Sequence, residues 1–297
     1  MANEQENTGE TRLPVRGYLL HITHYDPRWN AIKDREEDVP FDLALGLDVV
    51  DAMAAAGLNL LVIDCADGVQ YASHPELTRP YSVPMDTLRK IVERAQSHDI
   101  EVVPKLNFAQ SGLHKHNHWF RPHNDLFDND RYWELAFEVI DELIEVVQPP
   151  RFFHVGMDED HWRTYDQYVA AIERLHSGLA ERHLRTLIWN DSACLWPQAA
   201  IHREKSLAAE ARAPREVVHI VWDYSGADEA ILSRVKEAGF EVWGAPGHTA
   251  PLVARMVEVL HSVGGGGVLL TRWAPCVEAN RADLLESLRV LGPLCSA

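Results

Sequence analysis

Residues 151–160 read RFFHVGMDED, an apolar run that stops at Gly156 and is followed by three consecutive carboxylates, Asp158, Glu159 and Asp160. Pro149 and Pro150 before the run and Gly156 after it limit it to strand length, and its near-continuous apolarity predicts a strand buried on both faces. Adjacent carboxylates repel one another. Their place just past a strand therefore points either to acid chemistry or to a cap on the helix that follows. The chain around this stretch decides between the two.

The same unit recurs on both sides. Toward the amino end, apolar strands read over 15–23, 58–65 and 100–108 are followed by helical spacing over 41–56, 85–98 and 131–147. Toward the carboxyl end, a helix over 164–183 completes the central unit. Strands over 185–189, 217–222, 240–243 and 267–273 then alternate with helices over 199–213, 228–238, 251–263 and 282–291. Pro40 and Gly57 bracket the first helix as start and stop signals. Strict alternation of apolar strands and helices predicts an α/β protein with helices covering a parallel sheet. Eight such units select a single closed (β/α)₈ TIM barrel, and 297 residues suit a fold that usually needs roughly 250. The barrel is expected over 14–297, behind a polar, disordered tail over 1–13. The glycines 264–267 precede a strand and do not open a helix, which makes them a turn and not a phosphate cradle.

A formal charge of -17 with no basic block disfavours nucleic acid and anionic membrane as partners. The first twelve residues lack the apolar core of a signal peptide or anchor, so a cytoplasmic protein is expected. Cys65, Cys194, Cys276 and Cys295 are scattered without CxxC spacing, which predicts reduced thiols and neither a disulfide framework nor a zinc site. No cofactor is expected.

In such a barrel the carboxyl ends of the strands converge on one mouth, where active sites are built. The residues just past the strands are His24, Tyr25 and Asp26; Asp67; Asn107; Asp158 and Glu159; Trp189, Asn190 and Asp191; Trp222, Asp223 and Tyr224; Trp243 and His248; Trp273 and Glu278. Any single tryptophan here could plug the core. Four at successive strand ends, interleaved with Asp and Asn, describe a carbohydrate pocket instead, because indole faces pack on sugar rings while polar groups take the hydroxyls. The expected partner is a small carbohydrate or glycoconjugate. The histidines offer a competing reading. His114, His116, His118 and His123 share one loop, and His21, His24 and His154 lie near strand ends, where histidines and carboxylates can assemble a hydrolytic metal site. His21 and His24 are three apart and face opposite sides of a strand, which argues against it.

These residues resemble family 20 of the glycoside hydrolases, the β-N-acetylhexosaminidases. His154-Val155-Gly156-Met157-Asp158-Glu159 is similar to the His-Ile-Gly-Gly-Asp-Glu that ends the fourth strand in that family. Arg16-Gly17 resembles its first-strand Arg-Gly, whose arginine binds sugar hydroxyls, and Asp67 resembles an aspartate near the pocket after the second strand. Val102-Val103-Pro104 is similar to a third-strand Val-Ile-Pro, and Trp273 with Glu278 to a Trp and Glu after the eighth. The likeness spans most of residues 15–290, and the Asp-Glu pair is its specific part. It implies a substrate-assisted retaining mechanism, with Glu159 as general acid and base and Asp158 orienting the 2-acetamido group. Both must face one pocket although adjacent strand residues face opposite ways, so a turn or bulge is expected at Gly156-Met157. Asp158 and Asp160 are expected to hold the Glu159 proton. Met157 replaces a glycine, Lys105 and Asn107 stand where the family has acidic residues, and no tyrosine follows the seventh strand, which leaves Tyr224 after the sixth as a candidate replacement. The extra amino-terminal domain common in the family is not expected here. Two other classes remain open: a sugar-binding barrel without turnover, and a metal-dependent hydrolase or isomerase.

Overall fold

The computed structural model describes residues 12–23, 39–111 and 118–296. In chain order the elements are β1 (Val15–His21), α1 (Leu43–Ala55), β2 (Leu60–Asp64), β3 (Val69–Gln70), β4 (Val83–Pro84), α2 (Met85–Gln96), β5 (Glu101–Lys105) and α3 (Asp130–Val147). They continue with β6 (Phe152–His154), α4 (Tyr165–Glu181), β7 (Arg185–Asn190), α5 (Ala200–Arg212), β8 (Val218–Trp222), α6 (Glu229–Glu237), β9 (Glu241–Ala245), α7 (Ala250–Val263), β10 (Gly267–Thr271) and α8 (Arg281–Leu291). Eight strands close in the order β1-β10-β9-β8-β7-β6-β5-β2, all parallel, which is the expected (β/α)₈ barrel. The pair β3 and β4, absent from the sequence reading, forms a two-residue parallel ladder in the loop between β2 and α2.

The helices start where local chemistry lets them. Asp42, Asn129 and Thr164 each accept a backbone N–H from the first turn of α1, α3 and α4, and Thr164 completes a reciprocal capping box with Gln167. Gly264 ends α7 in the left-handed conformation. No described helix is long and apolar enough to cross a membrane.

Alternation along the strands makes two cores. Leu187 and Trp189 of β7 and Val218 and Ile220 of β8 join the barrel interior, whereas Ile188 and Val221 join the layer between sheet and helices. Trp243 belongs to the interior. Its register partner is Gly267, which in turn pairs with Val15, the first residue of β1, so the indole lies toward the amino half of the barrel. There it is fully buried, packs edge-on against Phe152 at 5.3 Å and donates to Glu241 Oε1 at 2.8 Å. The expectation that Trp243 lines the sugar pocket is corrected: β9 runs on through Gly244 to Ala245, so this tryptophan plugs the barrel below the mouth.

Removing so large a plug leaves a cavity that a closed barrel cannot collapse. Trp243→Ala is expected to lower unfolding free energy by about 3–5 kcal/mol in urea titrations, the range for truncating a buried large aromatic.

Candidate active site

The stretch after β6 turns out of the strand in four residues. Gly156, Met157 and Glu159 all have positive φ, at 70°, 77° and 54°. A side chain on Gly156 would sit 2.3 Å from Asn107 Oδ1, so the position demands glycine both for conformation and for space. Met157 adopts a conformation that glycine holds without strain, and its side chain is fully buried in the outer core. This is the expected turn, and its hydrogen bonds hold it. Asn107 Oδ1 accepts from the N–H groups of Met157 (3.2 Å) and Ala109 (3.0 Å), the Met157 carbonyl accepts from the Tyr168 hydroxyl (2.8 Å), and the Gly156 carbonyl accepts from the Trp189 N–H.

The turn brings three carboxyl groups together. Asn107 Nδ2 donates to Asp158 Oδ1 at 2.9 Å, and the Glu159 N–H donates to Asp191 Oδ2 at 2.9 Å. Asp191 Oδ1 accepts from the Trp222 indole at 2.7 Å. Burial pushes the Glu159 carboxyl up to about 8, aided by the charges of Asp158 and Asp191. Burial likewise raises Asp191 to about 7, with Asp158 adding to it and the Glu159 N–H and Trp222 indole opposing. Asp158 is also raised by burial, against the pull of Lys105. Asp160 is not part of this group: it accepts from Gln110 N–H, Arg163 Nη1 and Lys205 Nζ, and it anchors the loop to α5. Burial and the charges of Asp158 and Asp191 thus raise Glu159; of the two neighbours the sequence suggested, Asp158 contributes and Asp160 does not.

Beneath the mouth lies a polar layer that the sequence reading missed. His21, Asp64, Lys105 and His154 are register neighbours across β1, β2, β5 and β6. Lys105 Nζ lies 2.6 Å from Asp64 Oδ2, with His21 Nδ1 3.4 Å from the same oxygen. Burial alone would raise the Asp64 carboxyl, but Lys105 and His21 outweigh it and hold it well below its usual range. Lys105 therefore brings its own counter-ion. His154 is fully buried, packs tilted against Trp189 at 4.6 Å and accepts the Gly156 N–H on Nδ1; burial and Lys105 keep it neutral. His154 Nε2 and Trp189 Nε1 are buried without a partner among the described residues. A polar residue ending each of several apolar strands was the available signal, since equal depth makes such residues one layer.

Trp273 covers this layer, 5.1 Å from His21 and 6.1 Å from Trp189, and donates to the Tyr224 hydroxyl at 2.7 Å. Tyr224 reaches across to Thr271 Oγ1 at 3.1 Å and packs tilted against Trp222 at 5.3 Å. Asp158, Glu159, Asn107, His154, Trp189, Asp191, Trp222, Tyr224 and Trp273 thus form one connected set at the carboxyl ends of β5 to β8 and β10.

Four other expectations are corrected. Arg16 is the second residue of β1 and holds the carbonyls of Gly57 and Leu13, at the opposite end of the barrel. Glu278 is exposed and paired with Arg281 at 2.8 Å. Asp223 spends its carboxylate on the N–H groups of Ser225, Gly226 and Asp228, which shape the β8–α6 turn. Asp67 accepts from the Thr23 and Tyr81 hydroxyls and pairs with Arg79 at 3.6 Å, anchoring the loop after β2, while Asp64 is the acid at that strand end. His248 is exposed. His24, Tyr25, Asp26, His114 and His116 lie outside the described residues.

The fold defines the class as a (β/α)₈ barrel, and solved structures narrow the likeness. A GH20 exo-β-N-acetylglucosaminidase from Vibrio harveyi, in complex with N-acetylglucosamine, matches with TM-score 0.66 at 13% identity over 96% of this chain and 55% of that one. A β-hexosaminidase of Streptomyces plicatus, with N-acetylglucosamine as product, matches with TM-score 0.66 at 16% identity over 96% of this chain and 64% of its own. Dispersin B matches with TM-score 0.60 at 13% identity over 96% of this chain and 98% of its own. The chain thus spans about three-fifths of the first two proteins. At these identities the likeness is one of fold: the chain has the barrel shared by these glycoside hydrolases, divergent in sequence. No protein-family model matches it, and no curated protein matches at the sequence level.

A carboxyl whose folded value is raised stabilises the fold below its unfolded value near 4.5, and that contribution is lost as pH rises toward about 8. Glu159→Gln removes the buried charge. Thermal melts should therefore show the variant equal to wild type at pH 4 and increasingly more stable from pH 6 to 9. In the polar layer, Lys105→Met should destabilise by about 3–5 kcal/mol in chemical denaturation, because it leaves Asp64 buried without its cation.

Proposed function

We propose that the chain is a glycosidase that removes a terminal β-linked N-acetylhexosamine by a substrate-assisted retaining mechanism. The observation that carries the reading is the carboxyl cluster at the mouth, where Asn107 holds Asp158, the Glu159 N–H meets Asp191, and burial with the charges of Asp158 and Asp191 raises the Glu159 carboxyl to about 8. A general acid that is protonated near neutrality is what cleavage of a glycosidic bond requires.

In this reading Glu159 gives its proton to the glycosidic oxygen as the bond to the anomeric carbon breaks. The 2-acetamido carbonyl oxygen of the same sugar forms the new bond to that carbon, giving an oxazolinium ion, while Asp158, held by Asn107, accepts from the acetamido N–H. Water then attacks the anomeric carbon, Glu159 takes its proton, and the acetamido group is released with retained configuration. Tyr224, oriented by Trp273 and Thr271, supplies a hydroxyl to the oxazolinium side. Trp189, Trp222 and Trp273 supply the apolar wall for the sugar ring. Lys105 is compatible with a neutral sugar because Asp64 neutralises it. The resemblance around Asp158-Glu159 and the shared barrel support the same assignment.

Wild type is expected to hydrolyse aryl β-N-acetylglucosaminide or galactosaminide, and Glu159→Gln to lose about 10²–10⁴ in rate on substrates with poor leaving groups. Fluorination of the N-acetyl group should slow turnover steeply, since it weakens the attacking carbonyl. A folded wild type that cleaves neither sugar removes the substrate assignment. A rate insensitive to fluorination would replace substrate assistance with attack by an enzyme carboxylate.

A further inference from the structure

Away from the mouth, the loop between β3 and β4 and the turn before α3 bring together two imidazoles and a carboxylate. His74 Nδ1 lies 2.9 Å and His123 Nε2 2.8 Å from the same atom, Glu76 Oε1, and the three ligand atoms fall within 4.8 Å of one another. The other nitrogen of His74, Nε2, lies 2.9 Å from Glu138 Oε2 on α3. His74 is 4% exposed, and its ring meets that of His123 edge-on at 5.8 Å. The group shares no residue with the Asp158, Glu159 and Asp191 cluster.

The proton count gives this geometry its meaning. A carboxylate oxygen only accepts and a neutral imidazole has a single N–H, so with both ring nitrogens of His74 facing carboxylates one of them presents a lone pair to an oxygen, which is repulsive unless a positive charge lies between them. That charge is either a second proton or a metal ion. A carboxylate on the outer nitrogen of a histidine is the usual partner of a metal-bound imidazole, because it fixes the tautomer and raises ligand basicity. Two imidazole nitrogens and one carboxylate oxygen suit zinc and its transition-metal neighbours. Magnesium and calcium favour sets made of oxygen alone.

The ligands are also held in place before any ion arrives. Arg79 ties the two loops by donating to the carbonyls of Glu76 (3.2 Å) and Arg121 (2.9 Å), and Phe120 packs against His123 at 5.2 Å. Beside the site, Glu138, Asp141, Glu142 and Glu145 of α3 line a groove in which Arg89 is the one basic residue, so its net charge is negative and favours cations. The cysteine spacing that argued against zinc does not bear on a site built without cysteine.

We propose that His74, Glu76 and His123 bind one zinc-like divalent transition ion, with water completing the coordination, as a clamp between the β3–β4 loop and the segment before α3. That segment also reaches the candidate active site, because the Trp119 indole donates to the Asn107 carbonyl and Asn107 holds Asp158. The clamp is thus structural, and it stands whether or not the barrel acts on sugars.

The test is zinc titration calorimetry on the full chain after chelation and desalting, with metal content measured on the re-desalted protein. One zinc per chain is expected, bound with Kd below about 1 µM, raising the melting temperature where calcium and magnesium do not. His123→Ala and Glu76→Gln should abolish that zinc and its stabilisation, and Glu138→Gln should weaken it about 10- to 100-fold. Cobalt(II) added to wild type gives a readout that needs no variant: intense tetrahedral d–d bands are expected. No retained zinc, zinc retained equally by His123→Ala, or a cobalt spectrum of the octahedral aqua type would each overturn the proposal and leave His74 as an imidazolium paired with Glu76 and Glu138.

Discussion

The candidate site depends on a single side chain, Asn107, that satisfies the turn after β6 from the neighbouring strand's loop. Its oxygen takes the N–H of Met157, its amide nitrogen supports Asp158, and its position leaves room only for glycine at 156. Without it the positive φ of Met157 and Glu159 would go uncompensated, at about 1–2 kcal/mol for each residue held in the left-handed region. An extended strand would send Asp158 and Glu159 to opposite sides of the sheet. The turn instead lets adjacent residues of the chain face one pocket, and backbone strain of this kind clusters at active sites and ligand clamps.

Electrostatics then separates groups that look alike in sequence. Asp160 meets two cations and is a structural anchor, while burial raises Asp158, Glu159 and Asp191 together and the charge of Asp158 adds to the rise of the other two. Below them, Lys105 and Asp64 neutralise each other within the layer that also holds His21 and His154. The barrel therefore separates a charged but balanced floor from an acidic mouth, where Glu159 and Asp191 are raised toward neutral pH.

The barrel was legible in the sequence because each strand is an apolar run bounded by polar turns and each helix repeats its apolar face. The placement of Asp158, Glu159, Asp191, Trp222 and Trp273 at or just past the carboxyl ends of their strands was legible too. Depth along a strand was not. Reading the seventh strand as ending at Trp243 made an interior plug look like a rim residue, and Arg16 opens its strand, so it lies at the far end. Asp67 and Glu278 were misplaced because a carboxylate past a strand is as often spent on a loop or an ion pair as on a ligand, and only its partners distinguish the two. The His74, Glu76 and His123 cluster was hidden because its members come from two loops that meet through the packing of α2 and α3.

The central claim is that Asp158 and Glu159 address one 2-acetamido sugar from the turn held by Asn107. The most direct measurement is a crystal structure of the protein with the bicyclic thiazoline of N-acetylglucosamine, which mimics the oxazolinium intermediate. The account predicts the ring nitrogen within hydrogen-bonding reach of Asp158, about 2.6–3.2 Å, and Glu159 poised over the face of the anomeric carbon where water enters. A structure with the thiazoline bound elsewhere, or with Asp158 turned from the ring nitrogen, would contradict it.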